Sequence, residues 1–290
     1  MDYLAQIEDI LTFGNRSQNT ITSYKTYTSR FFTYCVETLH KDPGLADDAD
    51  IRAFLTELQQ KNSLSDATIN HAISEIRFFF ESVLRKDWNE KAVPHRRFER
   101  LLPYVPDRGT VEVFISSITD LKLKAMFALM YSAGLRVSEV CTLKCSDIEH
   151  ANGRIHVPPS KSHKDRYVIL AEPAYDILVA YWKALPKHLK TRDWLFTRQR
   201  NIEKPIYPQF PQSFIAKHEA SLGLPHRITC HSFRHAYATH SFAAGMDFET
   251  LSLLMGHSST QSTRIYVHLA QLGLKIQQFQ SPIEGMVNLL

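Results

Sequence analysis

The sequence predicts a mainly α protein in two parts, a small helical bundle followed by a larger, mostly helical part that carries one small antiparallel sheet. Three observations point there. Apolar residues recur at three- and four-residue steps through most of the 290 residues. That pattern stops between Lys86 and Gly109, and it gives way to short strand-like runs only once, around residues 154–170.

In chain order, Ile21, Tyr24, Tyr27, Phe31, Cys35 and Leu39 mark one buried helix face between Asn19 and Leu39. Ile51, Phe54, Leu55 and Leu58 repeat it over Asp48 to Gln60. A third helix opens at Ser65, a suitable N-cap, and buries Ile69, Ala72, Ile73, Ile76, Phe79, Phe80, Val83 and Leu84. A small bundle is the natural packing. Pro94, Pro103, Pro106 and Gly109 then interrupt the pattern, and the basic run Arg96, Arg97, Arg100 reads either as a solvated connector or as a strap along a phosphate backbone. The expected boundaries are 1–102 for the first domain, 103–110 for the linker and 111–290 for the second domain. There, helices are expected over Val111–Ser117, Leu121–Ser132, Ala174–Leu185, Pro211–Leu222, His231–Ala244 and Phe248–Leu254. Two strands, Arg154–Val157 and Arg166–Leu170, flank the polar turn 160–165. No internal repeat of 20 to 50 residues is present.

Hydrophobic residues at 44% and charged residues at 22% exclude disordered and low-complexity classes. The longest nearly apolar run, Ala125 to Leu135, is far below the roughly 20 residues of a membrane span. Met1-Asp2-Tyr3-Leu4, with Glu8 and Asp9 behind, lacks the basic start and apolar stretch of a secretory signal, so a cytoplasmic protein is expected. Cys35, Cys141, Cys145 and Cys230 contain no Cys-x-x-Cys pair and read as reduced structural thiols. The net charge is +4, but residues 1–107 hold 13 Lys and Arg against 16 Asp and Glu, whereas residues 108–290 hold 21 against 14. The positive field of the second part suits a polyanion or is simply a soluble basic surface.

Reactive side chains concentrate in four segments: 133–140 with Arg136 and Glu139, the turn with Lys161, His231 to His235, and Leu254 to Tyr266. Taken singly each has a plain structural reading. Arg136 could cap a helix, Glu139 could face solvent, and a helical histidine is more often hydrogen-bonded core than base or ligand. His231 and His235 have the spacing of a zinc pair, but Ser232 stands where such enzymes keep a glutamate and Arg234 would set a positive charge beside the cation. No metal is expected. Together, two arginines, a lysine and histidines form an anion trap fit for the equatorial oxygens of a reacting phosphate. A tyrosine can supply the nucleophile, but its phenol, with a pKa near 10, needs cationic neighbours or a base.

These motifs resemble those of the tyrosine recombinase (lambda-type integrase) family. The first box is Gly134-Leu135-Arg136-Val137-Ser138-Glu139-Val140, the hairpin lysine is Lys161, the second box is His231 to His235, and the third is Leu254 to His257, followed by Tyr266. Intervals of 3 residues from His231 to Arg234, 23 to His257 and 9 to Tyr266 are similar to the family's. Relatives usually carry glycines around the lysine, which Ser160-Lys161-Ser162-His163-Lys164 lacks. Asn19 to Tyr24 resembles the family's SAM-like core-binding domain, despite the acidic balance of that half.

The resemblance implies a site-specific recombinase that cleaves and rejoins duplex DNA through a 3′-phosphotyrosyl link, for integration or excision of a mobile element or resolution of DNA dimers. The alternatives are a type IB topoisomerase-like relaxing enzyme and a catalytically silent DNA-binding regulator. Arg136 and Arg234 would hold the scissile phosphate with His257, Lys161 would protonate the leaving 5′-oxygen, and His231 would take the proton of Tyr266. Glu139 would orient that histidine or an arginine, and His235 would support. Arg96, Arg97, Arg100, Lys164 and Arg166 are expected to contact DNA. Neither metal nor other cofactor is implied. The apolar tail, with Ile283, Met286, Val287, Leu289 and Leu290, is expected to dock on a neighbouring protomer in a DNA-bound homotetramer.

Overall fold

The computed structural model describes residues 2–99, 102–159, 165–190, 193–224, 226–256, 263–267 and 269–270. Arg100, Lys161, Lys164, His257 and the tail from residue 271 lie outside the described residues. The chain divides into two compact units, Met1–Leu101 and Leu102–Leu290. Among the described residues no helix is long and apolar enough to cross a membrane.

The first unit is a helical bundle. Helix α2 (Gln18–Glu37) starts at the N-cap Ser17, α3 (Asp48–Asn62) at an Asp47 capping box, and α4 (Asp66–Phe78) at Ser65, whose hydroxyl accepts from the Thr68 amide. A π turn, Phe79–Val83, prolongs α4 and turns Phe79 and Phe80 inward. One further helix, α1 (Tyr3–Phe13), was not expected; its signal is the spacing of Leu4, Ile7 and Leu11. The core joins Ile7, Phe31, Phe54, Ile69, Ile76 and Phe79. The stretch after the π turn is held to the bundle: Val93 is buried, and the Asn70 side chain donates to the Arg96 carbonyl and accepts from its amide. The segment has no helical period because side-chain-to-backbone bonds hold it instead. Arg96 donates from Nη1 to Asp66 at 3.0 Å and to Gln59 within this unit, while Arg97 is exposed.

The second unit is built around α6 (Leu121–Ser132), apolar on nearly all sides and packed against α5 (Arg108–Ser117), α8 (Glu172–Ala184) and α10 (Cys230–Ala243). Phe114, Phe127 and Phe233 form a triangle with ring centroids 5.1–5.3 Å apart, which fixes the rotation of α10. The sheet runs β1 (Ile148–Glu149), β2 (Arg154–Val157), β3 (Arg166–Ile169), antiparallel throughout. A second hairpin, β4 (Thr197–Arg198) with β5 (Asn201–Pro205), escapes sequence reading because its residues are polar and its strands short. Helix α9 (Gln209–Leu222) and α11 (Phe248–Met255) complete the unit, with helical backbone again at residues 263–267. Burial pushes the thiols of Cys141 and Cys230 up to about 12, as inert structural cysteines require.

Glu75, on α4, is a buried carboxyl that accepts from the Tyr27 amide at 2.8 Å and the Ser23 hydroxyl at 3.4 Å. Burial outweighs these donors and raises its pKa to about 7. The folded state therefore holds a proton that the unfolded chain releases near pH 4.5, and this contribution is lost as pH rises through 7. Glu75→Gln is expected to be more stable than wild type by about 2–3 kcal/mol at pH 8 and by less than about 1 kcal/mol at pH 5, read from urea denaturation of the full chain. An unchanged difference between the two pH values would show that the carboxyl stays ionised.

Candidate functional site

Four backbone positions in the second unit converge. Between α6 and α7 (Val137–Cys141) the chain reverses at Gly134, whose φ of +62° and whose close approach to the Tyr237 ring, 2.3 Å from an ideal Cβ, both require glycine. This turn delivers Arg136 as the N-cap of α7. Glu139, three residues on, accepts from the Arg136 amide at 2.8 Å and from its Nη1 at 2.8 Å. Buried Leu135 and Val140 anchor the turn to the core.

Arg234 on α10 is 1% exposed and donates to the carbonyls of Gly134 and Met255, with Glu139 at 3.9 Å. Burial lowers its pKa to about 10, aided by the Arg136 charge, so it remains protonated at neutral pH. Arg166, expected to contact DNA, lies here against Glu139 and the end of α11. Its Nη1 and Nη2 donate to the two oxygens of Glu139 at 2.9 and 2.8 Å, and its Nε donates to the Leu254 carbonyl at 2.7 Å. Strand parity is the reason: Arg166 faces inward with Val168, while Tyr167 and Ile169 are exposed. Burial pushes the Glu139 carboxyl up, but the Arg166 bonds and charge, then Arg136, outweigh it and hold it at about 2. Glu139 thus orients arginines.

Three successive carbonyls at the end of α11, those of Leu254, Met255 and Gly256, accept from Arg166, Arg234 and Arg136, the last at 3.4 Å. Helix C-termini carry unpaired carbonyls and partial negative charge, so three guanidiniums suit the place.

Tyr266 reaches this group from the segment beyond α11. It is 4% exposed and packs against Tyr237, Leu251 and Met255. Its hydroxyl is hydrogen-bonded to His235 Nδ1 at 2.9 Å, and the His235 and His231 rings stand 5.0 Å apart, edge to face. His235, expected only to support, therefore carries the hydroxyl in this structure. Burial lowers the His235 pKa to about 4, with the charges of His231 and Arg234 adding to it, so the ring is neutral at pH 7. His231 keeps an exposed edge; desolvation, then Arg234 and Arg136, lower its pKa. Burial raises the Tyr266 pKa, and the charges of Arg234 and Arg136 pull against that rise. Among the described residues no three His, Cys, Asp or Glu side chains gather as a metal site needs. Arg136, Glu139, His231, Arg234, His235 and Tyr266 thus stand together, whereas Arg96 and Arg97 belong to the other unit, and Lys161 and His257 lie outside the described residues.

Residues 108–272 match the phage integrase family, and residues 3–90 match the phage integrase N-terminal SAM-like domain. The chain belongs to the phage integrase family. It is 34% identical to the putative integrase/recombinase y4qK of Sinorhizobium fredii, over 93% of this chain and 84% of that protein. It is 28% identical to the tyrosine recombinase XerA of Pyrococcus horikoshii, over 94% and 91%. The enzyme class expected from the motifs, a tyrosine recombinase, therefore stands. Among solved structures, the Tn1549 transposon integrase in complex with a circular intermediate DNA matches with a TM-score of 0.69 at 20% identity, over 94% of this chain and 99% of that one. The XerH site-specific recombinase in its post-cleavage complex with a palindromic difH substrate matches at 0.70 and 19%, over 95% and 84%. Both share the fold.

Proposed function

We propose that this recombinase cleaves and rejoins duplex DNA at a specific site, with Tyr266 as nucleophile. The observation that carries the reading is the Tyr266 hydroxyl, hydrogen-bonded to neutral His235 beside the arginine cluster. Arg136 and Arg234 donate to the non-bridging oxygens of the scissile phosphate and offset the charge of its transition state. Tyr266 Oη bonds to phosphorus as the bond to the 5′-oxygen breaks. The phenol proton passes to the His235–His231 pair, and the 5′-oxygen leaves with a proton from Lys161. His257 adds a hydrogen bond to the phosphate. One phosphoester replaces another, so the step needs no external energy source, and a 5′-hydroxyl from a partner strand reverses it. Arg97, Arg100 and Lys164 contact the DNA backbone. The XerH recombinase bound to its difH substrate and the Tn1549 integrase in complex with a circular intermediate DNA support the substrate class.

Two such enzymes on each of two sites give a tetramer, coupled by the apolar tail docking on the neighbour, and the reaction runs in the cytoplasm. Integration, excision and dimer resolution all use this chemistry.

Tyr266→Phe is expected to lose covalent capture of a nicked suicide duplex, scored by denaturing gel, while binding that duplex within about twofold of wild type, since only the nucleophilic oxygen is removed. Capture at the wild-type level would place the nucleophile elsewhere. A chain ending at Pro282 is expected to bind one site normally and to lose the paired-site complex on a native gel; an unaltered paired complex would refute docking by the tail.

A further inference from the structure

We propose that Arg166 is a positioning residue for strand cleavage, which acts through Glu139 and the end of α11 to aim Arg136 at the phosphate. This inference rests on the cleavage reading above.

The geometry has three parts. First, the Arg166 fork covers both Glu139 oxygens, and the same oxygens accept from the Arg136 amide and Nη1. The Arg136 side chain, 30% exposed, has its direction set by a carboxylate that Arg166 itself immobilises. Secondly, Arg166 Nε holds the Leu254 carbonyl, two residues before Gly256, whose own carbonyl accepts from Arg136. One guanidinium thereby ties strand β3, helix α7 and the C-terminus of α11. Thirdly, the backbone is shaped around this side chain. An ideal Cβ on Gly256 would stand 3.0 Å from Arg166 Cδ and Nη1, and the φ of +58° at Gly256 suits glycine. The Arg166 side chain is 9% exposed, with three of its five N–H groups bonded to Glu139 and Leu254.

The consequence concerns the rate at saturation more than affinity. Described groups facing Glu139 are Arg136 on its own helix, Arg166 from β3 and Arg234 from α10, with His231 close enough to sense its charge. In wild type the carboxylate is ionised throughout the working range. Without Arg166, burial is opposed by fewer cations, so the carboxyl takes up a proton as pH falls, and Arg136 then loses its charged acceptor.

The test is single-turnover cleavage of a suicide duplex at saturating enzyme, from pH 6 to 8.5, with duplex affinity measured by fluorescence anisotropy. For Arg166→Gln, cleavage is expected to slow at least tenfold at pH 7, with Kd within about threefold and a new acid limb in which the rate falls as pH drops. Arg166→Lys keeps the charge but loses the fork and is expected to slow cleavage less, at unchanged Kd and without the acid limb. If the Gln variant fails to fold, the Lys variant decides by its rate against its Kd. Weaker binding with an unchanged saturated rate would make Arg166 a DNA contact and overturn the proposal. Wild-type rates in both variants, or slowing of the Gln variant without the acid limb, would overturn it as well. Absence of covalent product with wild type would instead remove the cleavage reading itself.

Discussion

A single buried carboxylate, Glu139, neutralises the interior of the catalytic unit where three guanidiniums meet. Buried charges cost several kcal/mol each unless paired, and one carboxylate cannot pair three arginines. The remainder is met by the carbonyls of Leu254, Met255 and Gly256, where the end of α11 concentrates partial negative charge. By formal charge the cluster remains cationic. In the proposed reaction the scissile phosphate would meet that charge, so the constraint of finding partners for these guanidiniums would also serve substrate binding.

The same arrangement accounts for the state of Tyr266. Burial favours the neutral phenol, while Arg234 and Arg136 favour the phenolate. A neutral histidine stands at hydrogen-bond distance and adds no further positive charge to the cluster. In the proposed reaction this hydroxyl is the nucleophile, held protonated with the groups that would assist its ionisation beside it.

Much of this was legible in the residues. The helices of both units follow from apolar periodicity and caps such as Ser65, and the site segments stand out because no bland reading explains Arg136, Arg234 and Tyr266 together. What escaped has physical reasons. Helix α1 is short, and the β4–β5 hairpin has no apolar alternation to reveal it. The stretch around Arg96 has no period, since Asn70 holds it by bonds that no pattern encodes. Arg166 was readable in principle: in a strand it shares a face with Val168, so its charge had to meet a buried partner. The partnership of His235 with Tyr266 depends on where residues distant in sequence meet, which spacing does not specify.

The dependence of the unit on Glu139 is tested most directly by equilibrium denaturation of Glu139→Ala at pH 7. Removing the carboxylate leaves buried guanidiniums without their counter-charge, and a loss of about 3–5 kcal/mol is predicted. A loss below about 1 kcal/mol would contradict the central role of this residue, because the arginines would then be compensated without it.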